Sequence, residues 1–133
     1  MEAIAKIENV RISPRKARLL AAVIKKMPVD KALAQLSLMT KHGSKEFLVL
    51  LKSAMANAAN NLKLKKEDLV ISNILVDEGL KMKRRDTSHG QRFGGGVIVK
   101  KTSHIRVILS DMGNEPSRSK SAQSLAYKQA YGK

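Results

Sequence analysis

The sequence contains no cysteine and no tryptophan, and only two phenylalanines and two tyrosines among its 133 residues. Without cysteine it cannot form a disulfide framework, a thiolate zinc site or a cysteine nucleophile. The longest uninterrupted aliphatic run, residues 19–24, is far shorter than the roughly 20 residues that span a membrane. Glu2 stands where a secretory signal needs basic residues, and no apolar stretch follows it. We therefore expect a cytoplasmic protein that is not bound to a membrane.

Acidic residues are also scarce, since 11 Asp and Glu stand against 26 Lys and Arg, for a net charge of +15. The excess positive charge is concentrated in three segments. Residues 11–26 hold six basic residues and no acidic one, residues 80–106 hold eight against a single aspartate, and residues 112–133 hold four against one glutamate. Lys and Arg contacts with phosphates supply most of the sequence-independent affinity for nucleic acids. This distribution therefore indicates a nucleic acid as the partner.

The shortage of aromatic residues narrows the kind of nucleic acid. Proteins that bind single strands stack the bases on aromatic side chains. Here Phe47 is expected in the core, which leaves only Phe93, Tyr127 and Tyr131. The composition favours folded RNA, or a duplex, that is contacted through its backbone and shape.

Three helices are predicted in the first half of the chain. Ser13-Pro14 is typical of an N-cap followed by a proline in the first turn, and the apolar residues after it recur at the spacing of one helical face. Pro28 is predicted to end this helix and Asp30 to begin a short second one. The third is predicted over residues 44–62, with an apolar stripe of Phe47, Leu50, Leu51, Ala54, Met55, Ala58 and Leu62.

Strands are predicted before and after these helices. Residues 3–12 form the first, and beyond Asp68 the apolar period changes from 3.6 to 2, which indicates strands over 69–76, 97–99 and 105–109. The polar, glycine-containing segment between them is too long for a tight turn, so we expect a hairpin that projects roughly 30 Å at ~3.3 Å per residue. Because this segment has few apolar residues to bury, we expect it to be poorly ordered in the isolated protein.

No catalytic, metal-binding or cofactor-binding motif is recognised. The three histidines lack a metal-ligand spacing. Asp77 and Glu78 are adjacent on a predicted strand and point to opposite faces, so they form no acid–base pair, and a local ion pair with Lys or Arg is expected instead. Gly94-Gly95-Gly96 is not directly followed by Lys-Ser or Lys-Thr and a helix, which excludes a phosphate-binding loop.

Five short motifs occur in the order typical of one known family. They are RISPRKARL at residues 11–19, SAMANAANN at 53–61, VDEG at 76–79, MKR at 82–84 and KTSHI at 101–105. With them the chain resembles the bacterial form of the L-twenty-two family of large-subunit ribosomal proteins, over roughly residues 4–111.

The resemblance implies an α+β fold in which three helices pack on a three-stranded antiparallel sheet and a long β-hairpin projects. It implies one domain at residues 1–111, with the extended hairpin at 80–101. Residues 112–133 are a basic, Ser-rich extension beyond the usual family core, and their composition favours disorder in the free protein. No homo-oligomer, cofactor or metal is expected.

The resemblance also implies a function. Members are structural constituents of the ribosome and not enzymes. They bind 23S-type large-subunit rRNA, aid its assembly and neighbour other large-subunit proteins. The hairpin tip lines the exit tunnel beside the nascent peptide.

Candidate site residues come from the two basic segments and the family motifs. The candidate rRNA-binding residues are Arg11, Ser13, Arg15, Lys16, Arg18, Lys25, Lys26, Lys81, Lys83, Arg84, Arg85, Lys100, Lys101, Thr102, Ser103 and His104. The tunnel-facing tip is expected at Ser88, His89, Gly90, Gln91, Arg92 and Phe93. This tip departs from the Arg- and Lys-rich tip that is usual in the family.

Three other functions fit the charge less well. A stand-alone regulator that reads DNA would need a helix presented to a groove, and the first helix lacks a helix-turn-helix partner. An RNA-processing enzyme would need a catalytic constellation. Binding to a membrane surface would need an apolar helix face, and that of the first helix is required by the core.

Overall fold

The computed structural model describes residues 1–87 and 96–111. Within them, three helices and a three-stranded antiparallel sheet form an α+β fold, which confirms the predicted fold class. A single turn of 3-10 helix, Lys66–Asp68, precedes the second strand. In chain order the elements are β1 (Glu2–Val10), α1 (Pro14–Ile24), α2 (Val29–Leu38), α3 (Ser44–Asn61), β2 (Leu69–Arg85) and β3 (Val97–Asp111).

The sheet has the order β1-β3-β2, so the last strand lies in the middle. β1 pairs with β3 as far as Val10 and Ser103, whereas β2 and β3 stay paired as far as Arg85 and Val97. Residues 81–85 and 97–101 therefore leave the sheet as a two-stranded segment, here called the ribbon. At its far end the Asp86 N–H donates to the Gly96 carbonyl at 2.8 Å.

One face of the sheet, here called the helix face, packs against the helices. Ile105, Val107 and Leu109 lie on it and are fully buried, as their alternation predicted. The α3 stripe is likewise buried or half-buried along its length, and Phe47 is fully enclosed. α3 packs on β1, and α1 packs on β2.

The start of α1 is confirmed, with Ser13 at the N-cap and Pro14 in the first turn. Its end differs from the prediction, because the helix stops at Ile24 and not at Pro28. Lys26 adopts a left-handed φ of 63°, and its N–H donates to the Ile71 carbonyl at 3.0 Å. The chain after α1 thus pairs with the edge of β2, which requires extended backbone before α2 begins at Val29.

The strands are longer than the apolar alternation predicted. β2 continues beyond Val76 to Arg85, and β3 is continuous where two separate pieces were predicted. Apolar and polar residues stop alternating in these added lengths because neither side of the ribbon faces the core. The backbone hydrogen bonds with the opposite strand nevertheless continue. The predicted tip residues 88–93 and the extension at 112–133 lie outside the described residues.

Candidate nucleic-acid interface

The ribbon leaves the sheet at an irregularity in β2. Glu78 pairs with Ser103 and Lys81 pairs with Lys101, so β2 has one more residue than β3 between these two pairs. Such a bulge bends the strand and increases its twist. Since β1 also ends opposite Ser103, the bulge sets the direction in which the ribbon projects. We call this junction, residues 78–81 with 101–104, the hairpin root.

Close packing at the hairpin root requires glycine at position 79. The Thr102 hydroxyl is buried and donates to the Leu80 carbonyl at 2.8 Å. A Cβ on Gly79 would lie 2.5 Å from Thr102 Oγ1 and 3.2 Å from His104 Nε2. Both distances are shorter than ordinary van der Waals contacts, so the two strands could not approach in this way around a side chain.

Two further contacts tie the hairpin root to the start of the chain. Ser103 is completely buried, and its hydroxyl donates to the Ile12 carbonyl at 3.1 Å. The Asn9 N–H donates to His104 Nδ1 at 3.2 Å, which leaves the ring proton on Nε2. Three residues that the sequence proposed as RNA contacts, Thr102, Ser103 and His104, thus have partners within the chain. The two buried hydroxyls hold the hairpin root and are not presented to solvent.

The basic residues of α1 and its approach lie on the surface. Arg11, Arg15 and Lys16 are exposed, as are Lys25 and Lys26 just beyond the end of the helix, whereas Ser13 is half-buried at the N-cap. Arg18 is also exposed but reaches across to β2, where its Nη2 donates to the Val76 carbonyl at 3.1 Å. This contact brings one cation of α1 to the hairpin root.

Glu78 is the point at which the two basic segments meet. It pairs with buried Ser103 and so lies on the helix face, and its carboxylate forms an ion pair with Lys81. The hydrogen bond and charge of Lys81 lower the pKa of Glu78, and the charges of Lys101 and Arg18 lower it further. The ion pair confirms the local pairing predicted for this acidic dipeptide.

Both faces of the ribbon carry cations. Pairing places Lys81, Lys83, Arg85 and Lys101 on the side that continues the helix face, and Arg84 and Lys100 on the other side. Lys81 lies directly opposite Lys101, and like charges in that position destabilise a sheet in water. The arrangement therefore favours a bound anion along this side.

Apolar side chains between these cations are exposed as well, which the sequence did not lead us to expect. Met82 and Ile98 lie on one side of the ribbon and Val97 and Val99 on the other. A strand pair that exposes apolar groups on both sides has no side chains of its own to cover them. The sequence signal for this is the mixture of apolar and basic residues at 97–101, where no amphipathic period separates the two kinds.

No helix in residues 1–87 and 96–111 is both long and apolar enough to cross a membrane. Over the same residues, His, Asp and Glu side chains do not gather into a group that could hold a metal ion.

The geometry is that of a small domain with a basic surface running from α1 onto an unsupported ribbon. The sequence profile described as ribosomal protein L22p/L17e matches residues 5–110. The chain belongs to this family. It is accordingly a structural ribosomal protein and not an enzyme, which confirms that prediction.

Named relatives agree with the profile. The large ribosomal subunit protein uL22 of Mesoplasma florum is 43% identical over 112 residues, which cover 84% of this chain and 97% of that protein. The proteins of the same name from Chloroflexus aggregans, 41% identical over 111 residues, and Halothermothrix orenii, 43% identical over 112 residues, each match 84% of this chain and 96% of their own length. Bacterial ribosomes are cytoplasmic, in agreement with the location predicted from the sequence.

Proposed function

We propose that the chain binds the rRNA of the large ribosomal subunit and aids its assembly. The observation that carries this proposal is the continuous basic surface from α1, through the hairpin root, to the ribbon. Arg18 of α1 and the ribbon cations Lys81, Lys83, Arg85 and Lys101 lie along it, and Glu78 forms an ion pair with Lys81 between the two groups. Phosphates along a folded RNA would relieve the repulsion between Lys81 and Lys101.

The exposed apolar residues of the ribbon support insertion into RNA more than binding at its surface. A ribbon enclosed by RNA would bury Met82, Ile98 and their neighbours against sugars and bases, while its cations pair with phosphates. Ordering of the ribbon would then accompany binding. The relatives are named as large-subunit proteins, which supports large-subunit rRNA as the RNA we propose.

A ribbon embedded in this way would carry the residues between β2 and β3 into the subunit. We infer that residues 88–93 reach the tunnel through which the nascent peptide leaves, and that neighbouring large-subunit proteins contact the domain of residues 1–111. The support for the tunnel is the family membership together with the extension of the ribbon beyond the three-stranded sheet.

The test compares cations of the ribbon with cations elsewhere. The full chain carrying Lys83→Gln and Arg85→Gln should bind a large-subunit rRNA transcript more weakly, and the slope of log K against log salt should fall by up to about 1.8, since each lost phosphate contact removes about 0.9. The matched control, Lys65→Gln with Lys66→Gln beside the 3-10 helix, should leave the slope unchanged. Equal effects of the two pairs would contradict the proposed interface.

A second experiment addresses the tunnel. Ribosomes that contain the chain with a photo-reactive residue in place of Gln91 should crosslink to a stalled nascent peptide, whereas the same residue in place of Lys65 should not. Crosslinking from neither position, in ribosomes shown to contain the chain, would contradict this part of the proposal.

A further inference from the structure

Arg18, Lys81 and Lys101 come from three different elements and lie around one carboxylate. Lys81 forms an ion pair with Glu78, Lys101 is paired directly opposite Lys81, and Arg18 contacts the Val76 carbonyl, two residues before Glu78. We propose that these three cations form a single phosphate-binding clamp at the hairpin root, and that Glu78 occupies the clamp until an RNA phosphate displaces it. The inference rests on the proposed function, because it names how the same surface receives its RNA.

The register explains why the three cations face the same way. Glu78 lies on the helix face, opposite Ser103, and the bulge returns Lys81 to that face, opposite Lys101. Without the extra residue in β2, Lys81 would fall out of register with Lys101. Each residue of a strand points to the opposite face from its neighbour, so the bulge decides which basic side chains meet.

Arg18 is fixed in place by its own contact. Its guanidinium donates to the Val76 carbonyl at 3.1 Å, two residues before Glu78, and its position on α1 is set by the buried face of that helix. A guanidinium has five N–H donors, so this bond leaves donors for a phosphate oxygen. Arg18 would thus supply a preorganised donor, while the two lysines supply mobile point charges.

The carboxylate of Glu78 should weaken RNA binding and reduce its dependence on salt. Lys81 and Lys101 repel each other across the ribbon in the absence of RNA, and Glu78 offsets that repulsion through its ion pair with Lys81. When a phosphate enters, the freed carboxylate takes up a counterion from solution. RNA binding by the wild-type chain then has a net release of about one ion fewer than binding by a chain without the Glu78 carboxylate. The affinity for RNA is also lower, by the free energy of one exposed ion pair.

The test measures binding of the full chain to a large-subunit rRNA transcript over a range of salt concentrations. Glu78→Gln should tighten binding about 2- to 5-fold at low salt, the equivalent of an exposed ion pair. It should also steepen the slope of log K against log salt by up to about 0.9. Asp77→Asn is the matched control, because Asp77 is the residue before Glu78 in the same strand and its side chain faces away from the clamp. This substitution should change the affinity and the salt slope less than Glu78→Gln does.

A double-mutant cycle separates displacement from a general loss of negative charge. In a Lys81→Gln background Glu78 has no ion pair with that residue to give up, so Glu78→Gln should tighten binding by a smaller factor than it does in the wild-type chain. An equal gain with and without Lys81 would overturn the clamp, as would equal effects of the Glu78 and Asp77 substitutions. If the wild-type chain does not bind the transcript, the proposed function itself fails.

Discussion

Substitution of Gly79 by alanine tests the steric origin of the bulge at the hairpin root. The new Cβ would lie 2.5 Å from Thr102 Oγ1 and 3.3 Å from the Thr102 carbonyl carbon. Thr102 is 5% exposed and β-branched, so its hydroxyl cannot swing aside without losing the bond to the Leu80 carbonyl. Either loss of that bond or overpacking costs about 1–3 kcal/mol.

A smaller favourable contribution opposes this cost. Gly79 does not have a left-handed φ, so alanine suits its backbone, and the lower entropy of the unfolded chain stabilises the folded state by about 0.4–1 kcal/mol. We therefore expect Gly79→Ala to lower the free energy of unfolding by about 1–2 kcal/mol. The measurement is urea denaturation of the full chain, with the m-value checked for constancy. Gly96→Ala is the control, since a Cβ there meets no atom within 4 Å.

Removal of the Thr102 hydroxyl tests whether its contact with the new Cβ causes the loss of stability in Gly79→Ala. Thr102→Ala alone should destabilise the chain by about 1 kcal/mol through the lost hydrogen bond. In that background Gly79→Ala should cost clearly less, because the contact at 2.5 Å is absent and only the milder contacts at 3.2 and 3.3 Å remain. If Gly79→Ala costs the same in both backgrounds, or costs nothing in the wild-type chain, the contact with Thr102 does not explain the glycine.

Two other predictions concern contacts on either side of the hairpin root. Ser103→Ala should lower the free energy of unfolding by about 1–3 kcal/mol, because it leaves the buried Ile12 carbonyl without the Ser103 hydroxyl as donor. The control Ser53→Ala, at an exposed position, should stay within about 0.5 kcal/mol of wild type. Equal losses of stability in the two variants would refute the reasoning. The hydrogen bond and charge of Lys6 hold the pKa of Glu8 below its ordinary value. The small stability from this pair is therefore present above the unfolded-state pKa and lost as the pH falls through the lowered folded-state pKa. An NMR titration should show the low pKa of Glu8 in the wild-type chain and its return upward in Lys6→Met, and no change would contradict the pairing.

Much of the fold follows from local signals. Ser13-Pro14 marks the start of α1, and the stripe around Phe47 predicts α3 and its buried face. These signals are readable because each depends on residues within a turn or two of one another. The end of α1 could not be predicted, because it depends on hydrogen bonds from the Lys26 N–H to the Ile71 carbonyl and from the Ile71 N–H to the Met27 carbonyl, which join residues far apart in the chain.

Some features of the candidate site could be predicted from the sequence, and others could not. Exposed cations of α1 and the ribbon could be predicted, since runs of basic residues with almost no acidic partner have no role in a core. The buried positions of Thr102 and Ser103 could not, because hydroxyls serve equally well as RNA contacts and as internal donors. Their internal partners at the hairpin root, the Leu80 and Ile12 carbonyls, are seen only in the tertiary structure.

By itself, the sequence determined a basic, cysteine-free, aromatic-poor α+β chain with two clusters of positive charge, because composition and short-range period are properties of the chain alone. The tertiary structure decided that the two clusters form one surface. Arg18 reaches the strand of Glu78 and Lys81 because α1 packs on β2, and Lys81 lies opposite Lys101 because one extra residue in β2 shifts its register against β3. Register and helix packing depend on contacts between distant residues, and no local pattern in the sequence specifies them.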